Sequence, residues 1–260
     1  MKAELAGKSA LVTGSTHNLG RVIALEFARR GARVVVHGKT GARQVADTIA
    51  AEVPGSRPLA VSFDLADRAA IDAAIADLAA DGVDLDVLVN NAAHLGLEET
   101  PGLDSSPELF RDVLEVNVFG THLCSVLAAR AMAARGGGAI VNISSLAGQR
   151  AIHGRLSYNT SKAAIDGMTR AMAIDFARHG IRVNAIAPGY VWSDRWERID
   201  DAEAARRRAR IPVAEPTSQG EIAALAAFLA SDRARTLTGS VIPIDGGLAA
   251  QQSPWEPADD

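Results

Sequence analysis

Residues 9–20 read Ser-Ala-Leu-Val-Thr-Gly-Ser-Thr-His-Asn-Leu-Gly, and this stretch decides the fold. It opens with a short apolar run at residues 9–13, of the kind that forms a buried strand, and a glycine closes it. Helical periodicity begins near Leu19 and continues to Arg30, where Gly31 stops it. A strand followed by a glycine turn and a helix is typical of the opening unit of a parallel α/β sheet.

The same alternation of strand and helix continues along the chain. Further strands are predicted at residues 33–37, 59–63, 86–89, 139–143, 182–187 and 240–244. Helical patterns lie between them, at residues 41–52, 71–78, 105–134, 158–179 and 219–231. Because the strands are short and apolar on both sides, we expect a parallel sheet with helices on both faces. The pattern therefore predicts a single-domain, doubly wound α/β fold with a sheet of about seven strands.

Two segments depart from this alternation. Residues 190–218 are long, charged and mixed in character, and we interpret them as a substrate lid. Residues 249–260 are rich in Gln, Pro and acidic residues. We interpret them as a polar C-terminal tail that either folds across a neighbouring subunit or is disordered. The predicted domain, with its lid, thus covers residues 1–248.

Composition argues against several classes of partner. The chain has 260 residues, 48% of them hydrophobic, and a formal net charge of −4. A nucleic-acid partner is not expected, because such proteins usually carry a basic face. The first residues lack the apolar segment of a signal peptide, and no apolar run reaches about 18 residues, so we expect neither secretion nor a membrane span. The single cysteine, Cys124, fits a reducing compartment, and we predict a cytoplasmic protein.

A tyrosine and a lysine stand four residues apart at the start of a predicted helix. Side chains at this spacing lie on one helical face, so we expect the Lys162 ammonium beside the Tyr158 phenol. A nearby cation favours the phenolate and lowers a pKa that is ordinarily about 10. The chain has only two tyrosines and four lysines, so the pair rarely arises by chance. Such a phenol can exchange a proton with a carbonyl or alcohol oxygen near neutral pH.

The glycine turn after the first strand is suited to a dinucleotide. Its glycines let the backbone approach a pyrophosphate, and the start of the helix offers free N–H groups to the negative charge. At the end of the second strand, Gly38 and Lys39 stand where an acid would select NAD. The cationic Lys39 favours NADP(H), with NAD(H) still possible. The alternative is an ordinary glycine turn with a solvated lysine.

Together and in order, these motifs resemble those of the short-chain dehydrogenase/reductase superfamily over residues 8–247. The similarity includes the coenzyme loop at residues 13–20, Asn-Asn-Ala-Ala at 90–93 and Asp-Gly-Gly at 245–247. The resemblance implies a Rossmann fold and an oxidoreductase that transfers a hydride between a nicotinamide cofactor and a carbonyl or secondary alcohol. It also implies a homotetramer, or failing that a dimer.

The resemblance also assigns roles to individual residues. Tyr158 would be the general acid/base, and Ser145 would hydrogen-bond the substrate oxygen. Lys162 would hold the nicotinamide ribose, and Asn117 would position Lys162 through a water. The cofactor would contact residues of the first loop, of the strand ends and of the catalytic helix, namely Gly14, Ser15, Thr16, Asn18, Leu19, Gly20, Gly38, Lys39, Asp64, Leu65, Asn91, Ala92, Ala93, Tyr158, Lys162, Pro188, Gly189, Val191 and Ser193.

Three residues depart from the family pattern. Asn18 stands where a glycine is usual, but asparagine tolerates the left-handed backbone region better than most residues. Ala93 also replaces a glycine and tightens its loop. Ser193 replaces a threonine and keeps the hydroxyl group. None of these changes removes a catalytic group.

The sequence predicts less about the substrate than about the cofactor. Six residues lie on segments that face the substrate in this fold, namely His94, Gln149, His153, Arg155, Tyr190 and Trp192. His153 together with Arg155 suggests a polar or anionic substrate, although each of the six could instead pack or face water. The arginines at positions 206, 207, 208 and 210 are interpreted as a solvated helical face.

Two other functions stay open from the sequence. One is a nucleotide-binding protein without turnover, against which the complete catalytic set argues. The other is an epimerase or dehydratase that uses a bound cofactor, although such relatives usually carry a larger C-terminal domain. We predict no metal, because the six histidines and Cys124 show no metal-ligand spacing.

Overall fold

The sheet is parallel throughout and follows the predicted strand pattern. The computed structural model describes residues 3–97, 102–193 and 196–252. Within these ranges the strands are β1 (Ser9–Val12), β2 (Arg33–His37), β3 (Leu59–Val61), β4 (Val87–Asn90), β5 (Gly138–Ile143), β6 (Ile181–Pro188) and β7 (Val241–Ile244). Their order is β3-β2-β1-β4-β5-β6-β7, so the prediction of a doubly wound parallel sheet is confirmed. Residues 194–195 of the predicted lid and 253–260 of the predicted tail lie outside the described residues.

Helices cover both faces of this sheet. In the described part of the chain they are α1 (Asn18–Arg29), α2 (Ala42–Glu52), α3 (Arg68–Ala80), α4 (Pro107–Leu114), α5 (Thr121–Ala133), α6 (Leu156–Ala177), α7 (Asp201–Ala209) and α8 (Gln219–Ala230). Polar caps set several of the starts. Ser218 and Glu221 form a reciprocal capping box at α8, and the Ser106 hydroxyl accepts from the Leu109 N–H at α4.

Alternate side chains of each strand enter opposite core layers. In β2, Val34 and Val36 pack in the layer that contains Phe27 of α1. Val35 points to the other layer, which contains Cys124 of α5. Because both faces of the strand are buried, its sequence is apolar at every interior position, as expected for a parallel sheet. The helices on each face therefore hold the carboxyl ends of the strands in fixed relative positions.

Two helical features differ from the sequence prediction. The helix expected at residues 105–134 is interrupted, because a π-helical turn, Glu115–Gly120, separates α4 from α5. Gly120 lies so close to a neighbouring segment that an added Cβ would stand 2.6 Å from the Leu65 carbonyl oxygen. The lid segment also contains α7, which agrees with the helical face expected for its arginines but was not among the helices predicted from periodicity, because its sequence, Asp-Ala-Glu-Ala-Ala-Arg-Arg-Arg-Ala, has no apolar stripe of large residues.

A buried histidine joins the ends of β1 and β2. The Gly14 N–H donates to Nδ1 of His37 at 3.0 Å, and Nε2 of the same ring lies 3.1 Å from the Phe63 carbonyl oxygen. Because the Gly14 amide can only donate, Nδ1 is unprotonated and Nε2 donates to Phe63. Burial lowers the pKa of His37 to about 4. The neutral ring thus holds the turn after β1 against the segment that follows β3.

We predict that His37 makes the protein less stable in mild acid. Its folded pKa of about 4 lies below the ordinary value of 6.5, so between these values the unfolded chain binds more protons. The free energy of unfolding should therefore fall as the pH drops through this window, by about 3 kcal/mol in total. Denaturant titrations across the window measure this slope.

His37→Asn supplies the matched comparison, since its amide oxygen can still accept from the Gly14 N–H. This variant should lack the additional slope, whereas His179→Asn, at an exposed site, should retain it. The assignment is contradicted if wild type and His37→Asn lose stability equally over the window.

Candidate active site

A crevice opens at the carboxyl ends of β1 and β4. The chain runs from β1 through β2 to β3 on one side and returns to β4 on the other, and ligands bind at such a reversal of strand order. A cavity of about 500 Å³ lies there. Eleven of the predicted cofactor residues line it, namely Gly14, Thr16, Asn18, Leu19, Gly20, Gly38, Lys39, Leu65, Asn91, Ala92 and Ala93.

The loop between β1 and α1 leaves no room for side chains at its glycines. An added Cβ on Gly14 would stand 2.8 Å from the Ala92 Cα, and one on Gly20 would stand 2.2 Å from the Gly14 carbonyl oxygen. The Asn91 amide nitrogen donates to the carbonyl oxygens of Thr13 and Gly14, at 3.0 Å each. Asn18 has φ +45°, the left-handed conformation that the sequence analysis expected it to tolerate. The loop backbone therefore borders the cavity without intervening side chains at its glycines, and the hydrogen bonds from Asn91 fix its position.

Lys39 lies at the rim of this cavity in an ion pair. Its Nζ stands 2.7 Å from Oδ2 of Asp64, and both side chains are partly exposed. Partial burial opposes ionisation of Asp64, but hydrogen bonds from the Ala66 N–H and from Lys39 outweigh it and hold the pKa of Asp64 below its usual range. Lys39 follows Gly38, where a Cβ would stand 2.5 Å from Cγ2 of Thr16. The rim thus places the Lys39 ammonium beside Gly38, where the backbone leaves no space for a side chain.

The structure brings Tyr158 and Lys162 together on the first turns of α6. The Lys162 Nζ lies 5.6 Å from the centre of the Tyr158 ring. It is buried and donates to the Ile143 carbonyl oxygen, at the end of β5, at 2.8 Å. Burial lowers the pKa of Lys162 to about 8, against the opposing field of Asp166. A lysine in this state keeps its charge at neutral pH and has donors left for further partners.

Asn117 lies in the π-helical turn and connects three segments. Its Oδ1 accepts from the His94 N–H at 2.6 Å, and its Nδ2 donates to the His94 carbonyl oxygen at 2.9 Å. The same Nδ2 donates to Oγ of Ser161 at 3.0 Å, and Ser161 in turn donates to the Tyr158 carbonyl oxygen at 2.8 Å. Asn117 therefore ties the loop after β4 to the first turn of α6.

Ser145 follows β5 and opens onto a second cavity of about 620 Å³. Its Oγ accepts from the Ala147 N–H at 3.2 Å, so the hydroxyl hydrogen is available to another acceptor. Pro188 and Gly189, at the end of β6, line the same cavity. Gly189 packs tightly, because an added Cβ would stand 2.8 Å from Cβ of Asp245.

The predicted substrate residues are distributed unevenly around these cavities. Arg155 and Tyr190 line the second cavity, and His94 lines the first. In the described ranges, Gln149, His153 and Trp192 belong to neither lining. Of the predicted cofactor residues, Ser15 is buried behind the loop, and its Oγ donates to the Val12 carbonyl oxygen at 2.7 Å. Within the same ranges, five further predicted cofactor residues also lie outside both linings, namely Asp64, Tyr158, Lys162, Val191 and Ser193.

Several residues that the sequence analysis did not assign to the site line the second cavity. Arg150 enters from the loop after β5. Arg207 and Arg210, which had been interpreted as part of a solvated helical face, enter from the lid segment. The available signal was the concentration of arginines and aromatic residues in one loop. Trp192 and Trp196 stack at 5.7 Å, and the Arg208 guanidinium lies over the Trp196 ring at 5.6 Å.

Across residues 3–97, 102–193 and 196–252, no three side chains of His, Cys, Asp or Glu come together as metal ligands. Among the helices of those same ranges, none has the length and apolar character needed to cross a membrane.

Comparison with known proteins places the chain in a family. A family model described as enoyl-(acyl carrier protein) reductase matches residues 14–249. The 3-oxoacyl-[acyl-carrier-protein] reductase FabG of Staphylococcus aureus (strain Mu50) is 35% identical over 243 residues, which cover 93% of this chain and 98% of that protein. A cis-4-hydroxycyclohexanecarboxylate dehydrogenase of Sinomonas cyclohexanicum is 36% identical over 96% of this chain and 100% of its own length.

The solved structures agree with this assignment. A gluconate 5-dehydrogenase from Burkholderia cenocepacia J2315, in complex with NADP and tartrate, superposes with a TM-score of 0.90 at 31% identity and covers 96% of this chain and 98% of its own. The matches extend over nearly the whole length of each protein. The chain therefore belongs to the short-chain dehydrogenase/reductase superfamily of oxidoreductases.

Proposed function

We propose that the chain is an NADP(H)-dependent oxidoreductase that transfers a hydride between the nicotinamide and a carbonyl or secondary alcohol, with Tyr158 as general acid/base. The observation that carries this proposal is the buried Lys162 ammonium, 5.6 Å from the Tyr158 ring. A fixed cation in the interior favours the phenolate form of a neighbouring tyrosine. Ser145 opens onto the adjacent cavity, where a substrate oxygen would be accessible to it.

The chain's own residues would handle the proton and the substrate oxygen. In the reductive direction, Ser145 would donate its free hydroxyl hydrogen to that oxygen while Tyr158 transfers a proton to it. Lys162 would stabilise the phenolate that remains, and oxidation would use the same groups in reverse. The bound nicotinamide would supply or accept the hydride, and the protein supplies position and electrostatics. Asn117 would act as a positioning residue through Ser161 and, by way of a water, through Lys162.

The first cavity fits a dinucleotide. Its wall includes the backbone at Gly14 and Gly20, where an added Cβ would collide with Ala92 and with the Gly14 carbonyl oxygen respectively, so at these two positions a pyrophosphate would meet backbone and no side chain. Lys162 uses one donor on Ile143 and has others for the hydroxyls of a ribose. Lys39 at the rim supports the choice of NADP(H) over NAD(H), because its ammonium would pair with a 2′-phosphate once it leaves Asp64.

Relatives give further support for the cofactor and the reaction class. The similar gluconate 5-dehydrogenase was solved with NADP, and the similar proteins carry the names of dehydrogenases and reductases. The lid expected at residues 190–218 contributes Tyr190, Glu203, Arg207 and Arg210 to the wall of the second cavity, which supports a role in covering the substrate. Residues 249–252 lie beside the same cavity through Gln251 and Gln252.

The quaternary state and location stay predictions. Exposed apolar side chains support self-association, since Phe119 of the π-helical turn is 60% exposed and Ile174 of α6 is 78% exposed. We propose a homotetramer, or failing that a dimer, in the cytoplasm.

Tyr158→Phe should abolish turnover with little effect on cofactor binding. The variant keeps the ring but removes the group that exchanges the proton, so kcat should fall by about 10²-fold or more. Spectrophotometric assays with NADPH and a panel of ketones measure the rate. Titration of NADPH fluorescence measures its binding in the same preparation. A variant with the full wild-type rate would contradict the catalytic role.

Lys39→Ala should weaken NADPH far more than NADH. A charge-assisted contact contributes about 1.5–3 kcal/mol, so the dissociation constant for NADPH should rise about 10- to 100-fold. The constant for NADH should change by about threefold or less, because NADH has no 2′-phosphate. Lys8→Ala, which breaks the distant ion pair with Asp232, is the matched control and should change neither constant. Equal losses for both cofactors in Lys39→Ala would contradict the assignment.

A further inference from the structure

The second cavity carries far more positive charge than the chain as a whole. Its described lining contains four arginines, Arg150, Arg155, Arg207 and Arg210, and a single carboxylate, Glu203. The whole chain has a formal net charge of −4. Like charges concentrated on one concave surface repel one another and raise the local concentration of anions. An arrangement of this kind next to Ser145 calls for an anionic occupant.

The single carboxylate does not neutralise this excess. Glu203 Oε1 accepts from Nε of Arg207 at 2.7 Å, and its Oε2 accepts from Nη2 of Arg206 at 2.8 Å. Hydrogen bonds from these two arginines hold the pKa of Glu203 below its usual range. One negative charge is therefore shared by two cations, and the cluster keeps a net positive charge.

Arg150 is bound but not neutralised. Its guanidinium donates to the main-chain carbonyl oxygens of Gln251, at 3.1 Å, and of Ala249. Carbonyl oxygens satisfy hydrogen bonds but carry no formal charge. Arg150 therefore holds the end of the described chain against the cavity and still contributes its full positive charge there.

Arg155 lies against the ring of the proposed catalytic tyrosine. Its Cζ lies 5.0 Å from the centre of the Tyr158 ring, nearer than the Lys162 Nζ. Its Nη2 donates to the Leu95 carbonyl oxygen, at the border of the first cavity. Its Nε is buried and has no hydrogen-bond partner in the described part of the chain. A buried donor without a partner is unfavourable, so an oxyanion that reached this nitrogen would be stabilised by it.

We propose that the substrate carries a carboxylate that binds Arg155, with the other cavity arginines supplying the surrounding positive field. This inference rests on the proposed function, since it names the substrate class of the same site. The planar fork of an arginine matches the two oxygens of a carboxylate. Because Arg155 stacks on the ring whose hydroxyl meets the reacting oxygen, the carboxylate lies a short carbon chain away from the carbonyl carbon. The substrate is thus a keto acid or the corresponding hydroxy acid.

Matched pairs of acids and esters test the proposal. The assay compares 4-oxocyclohexanecarboxylate and levulinate with their methyl esters, using wild-type protein and NADPH. We expect kcat/KM to be about tenfold or more higher for the acids, mainly through KM. Equal or better use of the esters would overturn the carboxylate site and leave the proposed function intact. Absence of turnover for every acid and ester, with NADPH or NADH, would count against the proposed function itself.

Arg155→Met tests the assigned residue while keeping an apolar stem against Tyr158. For the acids, kcat/KM should fall about 10- to 100-fold, whereas for the esters it should change about threefold or less. Arg155→Lys should retain part of the kcat/KM for the acids that Arg155→Met loses, because lysine keeps the positive charge but lacks the planar guanidinium group. Arg206→Met removes an arginine that shares Glu203 but lies outside the cavity lining, and it should leave both substrates unaffected. Equal losses for acids and esters in Arg155→Met would overturn the assignment.

A binding measurement makes the test independent of turnover. Calorimetry of 4-oxocyclohexanecarboxylate with the NADP⁺-saturated protein should give a dissociation constant that rises about 10- to 100-fold in Arg155→Met. Its methyl ester should bind both proteins about equally. No detectable difference between the acid and the ester in the wild type would overturn the proposal.

Discussion

The chemistry proposed for the site depends on one buried cation, the Lys162 ammonium, beside one phenol, that of Tyr158. Lys162 is almost inaccessible to solvent, and its ammonium donates a hydrogen bond to the Ile143 carbonyl oxygen, which holds it in place. Burial favours the neutral amine and lowers the pKa of Lys162 to about 8. The negative charge of Asp166, one turn further along α6, opposes this shift. Asp166 itself accepts a hydrogen bond from Ser144, and burial raises the pKa of Asp166. The charge at Lys162 is thus maintained at neutral pH inside the protein.

The parallel sheet brings the other groups of the site to the same edge as Tyr158 and Lys162. The carboxyl ends of β1, β4, β5 and β6 meet at one edge, and each delivers a different group there. The end of β1 supplies the glycine loop, and the end of β5 supplies Ser145. The turn after β4 is held by Asn91 and by Asn117 of the π-helical turn. Because both faces of the sheet are buried under helices, these groups are fixed by the core and do not depend on the lid.

Short-range patterns were readable from the sequence, and long-range contacts were not. The spacing of Tyr158 and Lys162 predicts their contact because one helical turn brings them together. The same holds for the glycine loop, whose strand, turn and helix are contiguous. His37 could not be assigned, because its partners at Gly14 and Phe63 lie on other segments. Arg150, Arg207 and Arg210 were not assigned to the site for the same reason, because their place beside Ser145 depends on contacts between segments that are far apart in the sequence.

The ionisation of Tyr158 tests the central claim most directly. The chain has only two tyrosines, so the ultraviolet absorbance of tyrosinate in the wild type, minus that of a Tyr158→Phe protein, isolates the one phenol. We predict that Tyr158 ionises about one pH unit or more lower in the wild type than in Lys162→Met, because the lysine's charge favours the phenolate. The same midpoint in both proteins would contradict the account.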